Sequence, residues 1–212
     1  MIYKIDGIVK DVRVAIDQNM QSDALLMEQD IDTLALEEII ESKIEEAIRR
    51  VESSAPLSML DSGHNFGEEG LFWDNYESGF VILPDDFMRL MAFKMCDWEK
   101  TITQAITEDS PLYAKQSSRY KGVRGNWQKP VVAIVNRPEG RVLEFYSCKD
   151  NLAEVLKGVY RPYPKIEDAA VDISERCYMS VIYTIASLVS LSMGEADKAT
   201  GLIELSKSIL EQ

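Results

Sequence analysis

Hydrophobic residues recur at three- and four-residue steps in several parts of the chain, the spacing that places them on one face of a helix. The clearest stripe runs from Leu36 to Val51, with Glu37 and Glu38 in its first turn and arginines in its last turns. This order suits the helix dipole. Such stripes predict helices over 3–18, 33–53, 85–107, 167–193 and 196–210. In 177–193 apolar residues fall on nearly every side of the predicted helix, which indicates a place at the centre of a bundle.

Two further segments have the alternation and turn residues of short strands. Residues 70–83 include LFWDNYESGFVI, which predicts two strands around a turn. Residues 118–148 end in VVAIV and VLEFYS around an Arg-Pro-Glu-Gly turn at 137–140, which predicts a hairpin. The expected fold is therefore mainly α. It is a single domain over 1–212, a helical bundle with inserted short β-hairpins at 70–83 and 118–148.

Composition narrows the class of protein. The net charge of −13 argues against a protein that coats nucleic acid, because phosphate binding needs a basic surface. Cys96, Cys148 and Cys177 are widely spaced, which predicts neither a zinc site nor a disulfide framework and suits a reducing compartment. Charges near the N-terminus argue against an export signal, and 177–193 is too short and too rich in hydroxyl groups to span a bilayer. We expect no cofactor, no metal and no membrane association.

Residue patterns typical of catalysis are weak. His64 lies in DSGHNFGEEG near Asp61, Glu68 and Glu69, so a small hydrolase or a metal site can be drawn there, but a lone imidazole equally fits a solvated loop. Asp85 and Asp86 follow a proline and are expected to cap the helix at 85–107. The glycines at 122 and 125 lack the Gly-Lys-Ser/Thr ending of a phosphate-binding loop. We expect the chain not to be an enzyme.

One segment departs from the acidic composition. Ser110 to Pro138 holds six basic residues and no carboxylate. Its basic residues alternate with tyrosine and tryptophan, a composition found at protein interfaces. The predicted subunit or partner interface consists of Lys115, Arg119, Tyr120, Lys121, Arg124, Trp127 and Lys129.

Three interpretations of this segment stay open. It could contact an acidic surface, most simply on another copy of the chain. It could be a solvated loop whose charges balance acids of its own chain. It could also be a nucleic-acid-binding module, in which 115–129 follows phosphates and Trp127 stacks on a base.

Four phrases carry a resemblance to a known family: DTLALEEIIESKIEEAIRRVESSAP, VILPDDFMRLMAFKMCDW, SPLYAKQSSRYKGVRGNWQKPVVAIV and VLEFYSC. With the helical pair at the C-terminal end, they make the chain similar to the head-to-tail connector (neck or ring) proteins of crAss-like tailed phages of Bacteroidales, over about residues 30–210. The resemblance implies a structural virion protein, made in the host cytoplasm, that forms a dodecameric ring beneath the portal. Its implied neighbours are the portal and other neck or tail proteins, with DNA passing through the channel without specific binding.

Overall fold

The computed structural model describes residues 1–16, 35–67, 70–120 and 122–211 and gives them an α+β fold. Helix accounts for 38% of this part of the chain and strand for 27%, in three sheets. The prediction of a mainly α bundle with inserted hairpins is therefore wrong. In chain order the elements are β1 (Ile2–Lys4), α1 (Ile5–Ala15), α2 (Leu36–Ser54), β2 (His64–Asn65), β3 (Leu71–Trp73), β4 (Gly79–Ile82), β5 (Phe87–Met95), β6 (Ile106–Thr107), α3 (Pro111–Gln116), β7 (Val131–Arg137), β8 (Gly140–Tyr146), β9 (Val155–Pro162), β10 (Ala170–Asp172), α4 (Tyr178–Ser192) and α5 (Ala196–Leu210).

The chain divides into two compact units. The helical unit comprises Met1–Asp61 and Pro164–Gln212, and the β unit comprises Ser62–Tyr163. Both segments predicted as β insertions, 70–83 and 118–148, belong to the β unit. Among the described residues, no helix is both long and apolar enough to cross a membrane.

In the helical unit, α4 is the central element, as its all-round apolar sequence predicts. Helices α1, α2 and α5 all contact it. Ile8 of α1, Ile44 of α2 and Ile185 of α4 are completely buried in one shared core. Burial of this kind supplies most of the stability of such helices, since isolated helices of this length are marginal in water.

The structure confirms the helices predicted in this unit, but their bounds agree with the prediction to different degrees. Helix α5 has the predicted bounds, and Gly194 before it takes the left-handed conformation that commonly ends a helix, with φ of +83°. Helix α1 lies within the predicted 3–18, and α2 ends one residue beyond the predicted 33–53. Residues 17–18 and 33–34 of these predictions are outside the described part.

The α-helix predicted over 167–193 is wrong over 167–177, because α4 begins only at Tyr178. Asp168 and Ala169 have positive φ, of 51° and 56°, which a helix does not accommodate. Strand β10 follows them and pairs antiparallel with β1 at the other end of the chain.

The β unit contains two sheets around one aromatic core. The first has the order β2-β9-β5 and the second β3-β4-β8-β7-β6, antiparallel except for β6 beside β7. The shared core includes Phe66, Phe87, Phe93, Phe145 and Tyr160. Several of their rings touch, with centroid distances between 5.5 and 6.3 Å. The predicted hairpin with a turn at 137–140 is confirmed by β7 and β8, and the strand pair predicted in 70–83 is confirmed by β3 and β4.

The helix predicted over 85–107 is wrong, because this segment forms strands β5 and β6. Strand β5 pairs with β9 through three irregularities of register, between Phe87 and Arg89, Leu90 and Ala92, and Lys94 and Met95. The first two add a residue to β5, so residues on the same face of this strand are three apart in places instead of two, and the third adds a residue to β9. Phe87, Leu90 and Phe93 are buried at three-residue steps, which imitates the period of a helix.

Candidate functional site

The basic segment starts on α3 and continues as a loop to β7. The hydroxyl of Ser110 caps α3 by accepting a hydrogen bond from the Leu112 amide at 3.3 Å, and Pro111 occupies the first helical position, where its missing N–H costs nothing. Lys115 is exposed near the end of this helix. The loop that follows holds the other predicted interface residues, and it is attached to the β unit at several points.

The first attachment joins the end of α3 to the middle of the loop. Buried Gln116 accepts a hydrogen bond from the Gly125 amide at 2.9 Å and donates one to the Leu112 carbonyl at 2.8 Å. The Ser147 hydroxyl donates to the Gly125 carbonyl. A Cβ atom at Gly125 would lie only 2.9 Å from the Val131 side chain, so the close packing here requires glycine.

The second attachment is an ion pair between Arg124 and Glu77. Their side chains are 18% and 19% exposed. The partner of Arg124 is therefore an acid of its own chain, as the solvated-loop interpretation proposed for the whole segment. Arg124 is not available for a partner protein unless this pair breaks.

The third attachment involves Trp127, which is half-buried. Its carbonyl accepts a hydrogen bond from the Glu99 amide at 3.1 Å, and the Lys149 ammonium lies 4.4 Å from the centre of its ring. One face of the indole is thus occupied by a cation. Lys129 is exposed in the next turn, where its amide donates to the Asn126 side chain at 3.0 Å.

Residues 119–120 and 122–123 are exposed at the end of the loop, which we call the basic tip. Tyr120 is 63% exposed and Val123 is 52% exposed. The Arg119 guanidinium lies 5.2 Å from the centre of the Tyr120 ring, so a cation and an aromatic ring are presented together. Lys121 lies outside the described residues. Of the seven predicted residues, the structure thus places Arg119 and Tyr120 at the tip, Arg124 and Trp127 in the attached base, and Lys115 and Lys129 on exposed flanks.

A buried carboxylate, which the sequence reasoning missed, connects α3 to the second sheet. Glu144 on β8 is 5% exposed and accepts hydrogen bonds from the Tyr113 hydroxyl at 3.3 Å, from the Tyr146 hydroxyl, and from Arg137 Nε at 2.7 Å. Arg137 also binds both oxygens of Asp74, at 2.9 and 2.7 Å. Burial, and then the Glu144 carboxylate, raise the pKa of both tyrosines. The only sequence signal for this cluster is an acid inside the apolar run VLEFY.

The structure gives the His64 hypothesis no supporting arrangement. His64 is exposed on β2, and its ring meets the Tyr160 ring edge-on at 5.8 Å. Asp61 belongs to the helical unit, and Glu68 and Glu69 lie outside the described residues. Within the described part of the chain, no three His, Cys, Asp or Glu residues form a group that could hold a metal ion. Cys96, Cys148 and Cys177 form no disulfide bond.

The predicted capping role of Asp85 and Asp86 is wrong because no helix follows them. They form a turn before β5. The Asp86 carboxylate accepts a hydrogen bond from the Tyr160 hydroxyl at 2.8 Å. Burial and this hydrogen bond raise the pKa of Tyr160 to about 12. The carboxylate thus fixes β9 against the start of β5.

Charge is divided unevenly between the two units. The helical unit contains 10 lysines and arginines against 22 aspartates and glutamates, whereas the β unit contains 13 against 14. Almost all of the net charge of −13 therefore belongs to the helical unit. Six of the 13 basic residues of the β unit fall within Ser110 to Pro138.

A scan against protein-family models and a search of curated proteins found no match for this chain. Its function is therefore inferred from its own residues and their arrangement.

Proposed function

We propose that the chain is a structural subunit that assembles through its basic tip into a ring in the head-to-tail connector of a tailed phage. The observation that carries this proposal is the basic tip itself, in which Arg119 and Tyr120 stand exposed on an attached base in a strongly acidic chain. Arg and Tyr are among the residue types that contribute most to protein interfaces. The attached base favours binding, because a fixed loop loses less conformational entropy on contact.

Another copy of the chain is the partner that suits this tip best. The tip is basic, and the acidic surface that would attract it is present on every copy. A contact between two different surfaces of the same protein repeats head to tail, and it closes into a ring where the rotation allows. The resemblance to connector proteins sets the expected ring at twelve copies, beneath the portal and in contact with other neck or tail proteins.

The same charge distribution suits a channel for DNA. An acidic protein repels phosphates, so a DNA molecule would pass such a ring without adhering to it. Lys149 covers one face of Trp127, which makes that indole a poor platform for stacking a base. The proposed location is therefore the virion neck, after synthesis in the host cytoplasm.

Charge reversal at the tip tests the proposal. Arg124 is left unchanged because its ion pair with Glu77 belongs to the base of the loop. The variant Arg119→Glu with Lys121→Glu should keep the wild-type circular dichroism spectrum, because an exposed charge such as that of Arg119 contributes less than about 1 kcal/mol to stability. It should remain monomeric by size-exclusion chromatography with light scattering, at concentrations where the wild type assembles.

The matched control is Lys157→Glu, which reverses one exposed charge on β9 outside the basic segment. This control should assemble as the wild type does. Normal assembly of the tip variant would contradict the proposal. Salt-dependent binding of the wild type to short duplex DNA, lost in the tip variant, would favour a nucleic-acid-binding module instead.

A further inference from the structure

We infer that the basic tip of one copy docks in the groove between α1 and α2 of the next copy. This inference rests on the proposed function, and it names the surface that receives the tip. The groove has a volume of about 540 Å³, which leaves room for an aromatic side chain. It is lined by Asp6, Val9, Lys10, Arg13, Val14, Glu37 and Glu41.

The lining of the groove offers both an anion and an apolar surface. Asp6 and Glu41 are exposed and form no ion pair with any residue in the described part of the chain. Glu37, by contrast, is bound to Arg13 at 2.9 Å. Val14 is 50% exposed beside these acids. Lys10 and Arg13 also line the groove, and Arg13 is the residue bound to Glu37. Two carboxylates, those of Asp6 and Glu41, thus remain without an ion pair in the described part of the chain, next to a half-exposed valine.

The basic tip offers a partner to the unpaired carboxylates and to the exposed valine. Arg119 carries the cation, and the Tyr120 ring next to it carries the apolar surface. Val123, 52% exposed at the same tip, adds further apolar area. Arginine is suited to this role because its planar fork can bind a carboxylate through two hydrogen bonds while its stem stays in apolar contact.

Other carboxylates on α2 are less suited to the tip. Glu38 accepts a hydrogen bond from the Ala35 amide at 3.3 Å, and Glu45 accepts one from the Ile166 amide at 3.1 Å. Glu46 is paired with Arg50. A new partner would have to compete with these bonds, whereas Asp6 and Glu41 form no ion pair within the described part of the chain.

The overall charge of the units favours the same pairing. The helical unit has a net charge of −12 and the β unit one of −1, from the counts given above. A basic tip on a nearly neutral unit is attracted toward the helical unit of a neighbour before the two surfaces touch. Because the tip and the groove are different surfaces, the contact is heterologous and can close a ring.

A charge swap between the two surfaces tests this inference. The groove variant Asp6→Lys with Glu41→Lys should weaken self-association of the full chain by about tenfold or more, measured by sedimentation or light scattering across a concentration series. Combining it with Arg119→Glu and Lys121→Glu should restore assembly, since each surface then again meets the opposite charge. The control Glu204→Lys, an exposed acid on α5, should leave assembly unchanged.

Separate outcomes distinguish this inference from the proposed function. If the groove variant assembles normally while the tip variant does not, the groove is not the receiving surface and the proposed function stands. If the wild type itself never assembles, alone or with portal protein, both are wrong. Should circular dichroism show that the lysine variant is unfolded, Asp6→Asn with Glu41→Gln replaces it, and unaltered assembly of that neutral variant overturns the inference.

Discussion

At the scale of single residues, the presentation of the basic tip depends on a few uncharged contacts at its base. Gln116 and Ser147 both bind the backbone of Gly125. These bonds hold the loop ends together, so that Arg119 and Tyr120 are displayed from a fixed position. The residues that make the tip basic could be predicted from the sequence, whereas the residues that hold it could not, because glutamine, serine and glycine are common in any loop.

Alanine substitutions at Gly125 and Gly122 test whether tight packing at Gly125 holds the base of this loop. Gly125→Ala should lower the stability of the β unit by about 1–3 kcal/mol, because the added Cβ would crowd Val131. Gly122→Ala is the matched control, since a Cβ there meets nothing within 4 Å. All three tryptophans of the chain belong to the β unit, so the shift in thermal unfolding can be followed by their fluorescence. Equal melting of the two variants would contradict the tight packing at Gly125.

At the scale of elements, hydrophobic periodicity predicted some segments well and misled in one. Helices α2 and α5 were predictable because each buries a regular stripe of hydrophobic residues within the helical unit to which it belongs. Strand β5 was not, because its bulges space the buried residues as a helix would. Strand β10 was not predictable either, because it pairs with β1 across nearly the whole chain. Local patterns cannot report such a partner.

The buried position of α4 yields a prediction about stability. Ile185→Ala should cost about 2–5 kcal/mol, because this side chain is fully buried and its loss leaves a cavity. Leu188→Ala should cost less, since Leu188 is only half-buried. Leu191→Ala, at a position 59% exposed on the same helix, should change stability by no more than about 0.5 kcal/mol.

Far-ultraviolet circular dichroism is the suitable measurement for these variants, because the helical unit contains no tryptophan. A denaturant titration of each variant gives its free energy of unfolding. If Ile185→Ala and Leu191→Ala unfolded at the same denaturant concentration, α4 would not lie at the centre of the core.

At the scale of the whole molecule, the division into two units shows that almost all of the net negative charge belongs to the helical unit. From the sequence, the β segments were expected to project from a helical body. Instead they form a unit with an aromatic core of its own, which encloses residues such as Phe93 and Phe145. The expected fold was wrong at this scale because the hairpins are joined into sheets by pairs of strands far apart in sequence, β4 with β8 and β5 with β9, and such pairing leaves no local pattern in the sequence. The segregation of charge was visible in the sequence, but its assignment to units required the structure.

The central claim, that this chain is a ring-forming subunit, is tested most directly by electron microscopy of the purified wild-type protein, alone and with portal protein. We expect closed rings with twelve-fold symmetry in averaged images of the wild type, and no rings for the variant Arg119→Glu with Lys121→Glu. Monomers under every condition, or rings that persist unchanged in that variant, would contradict it.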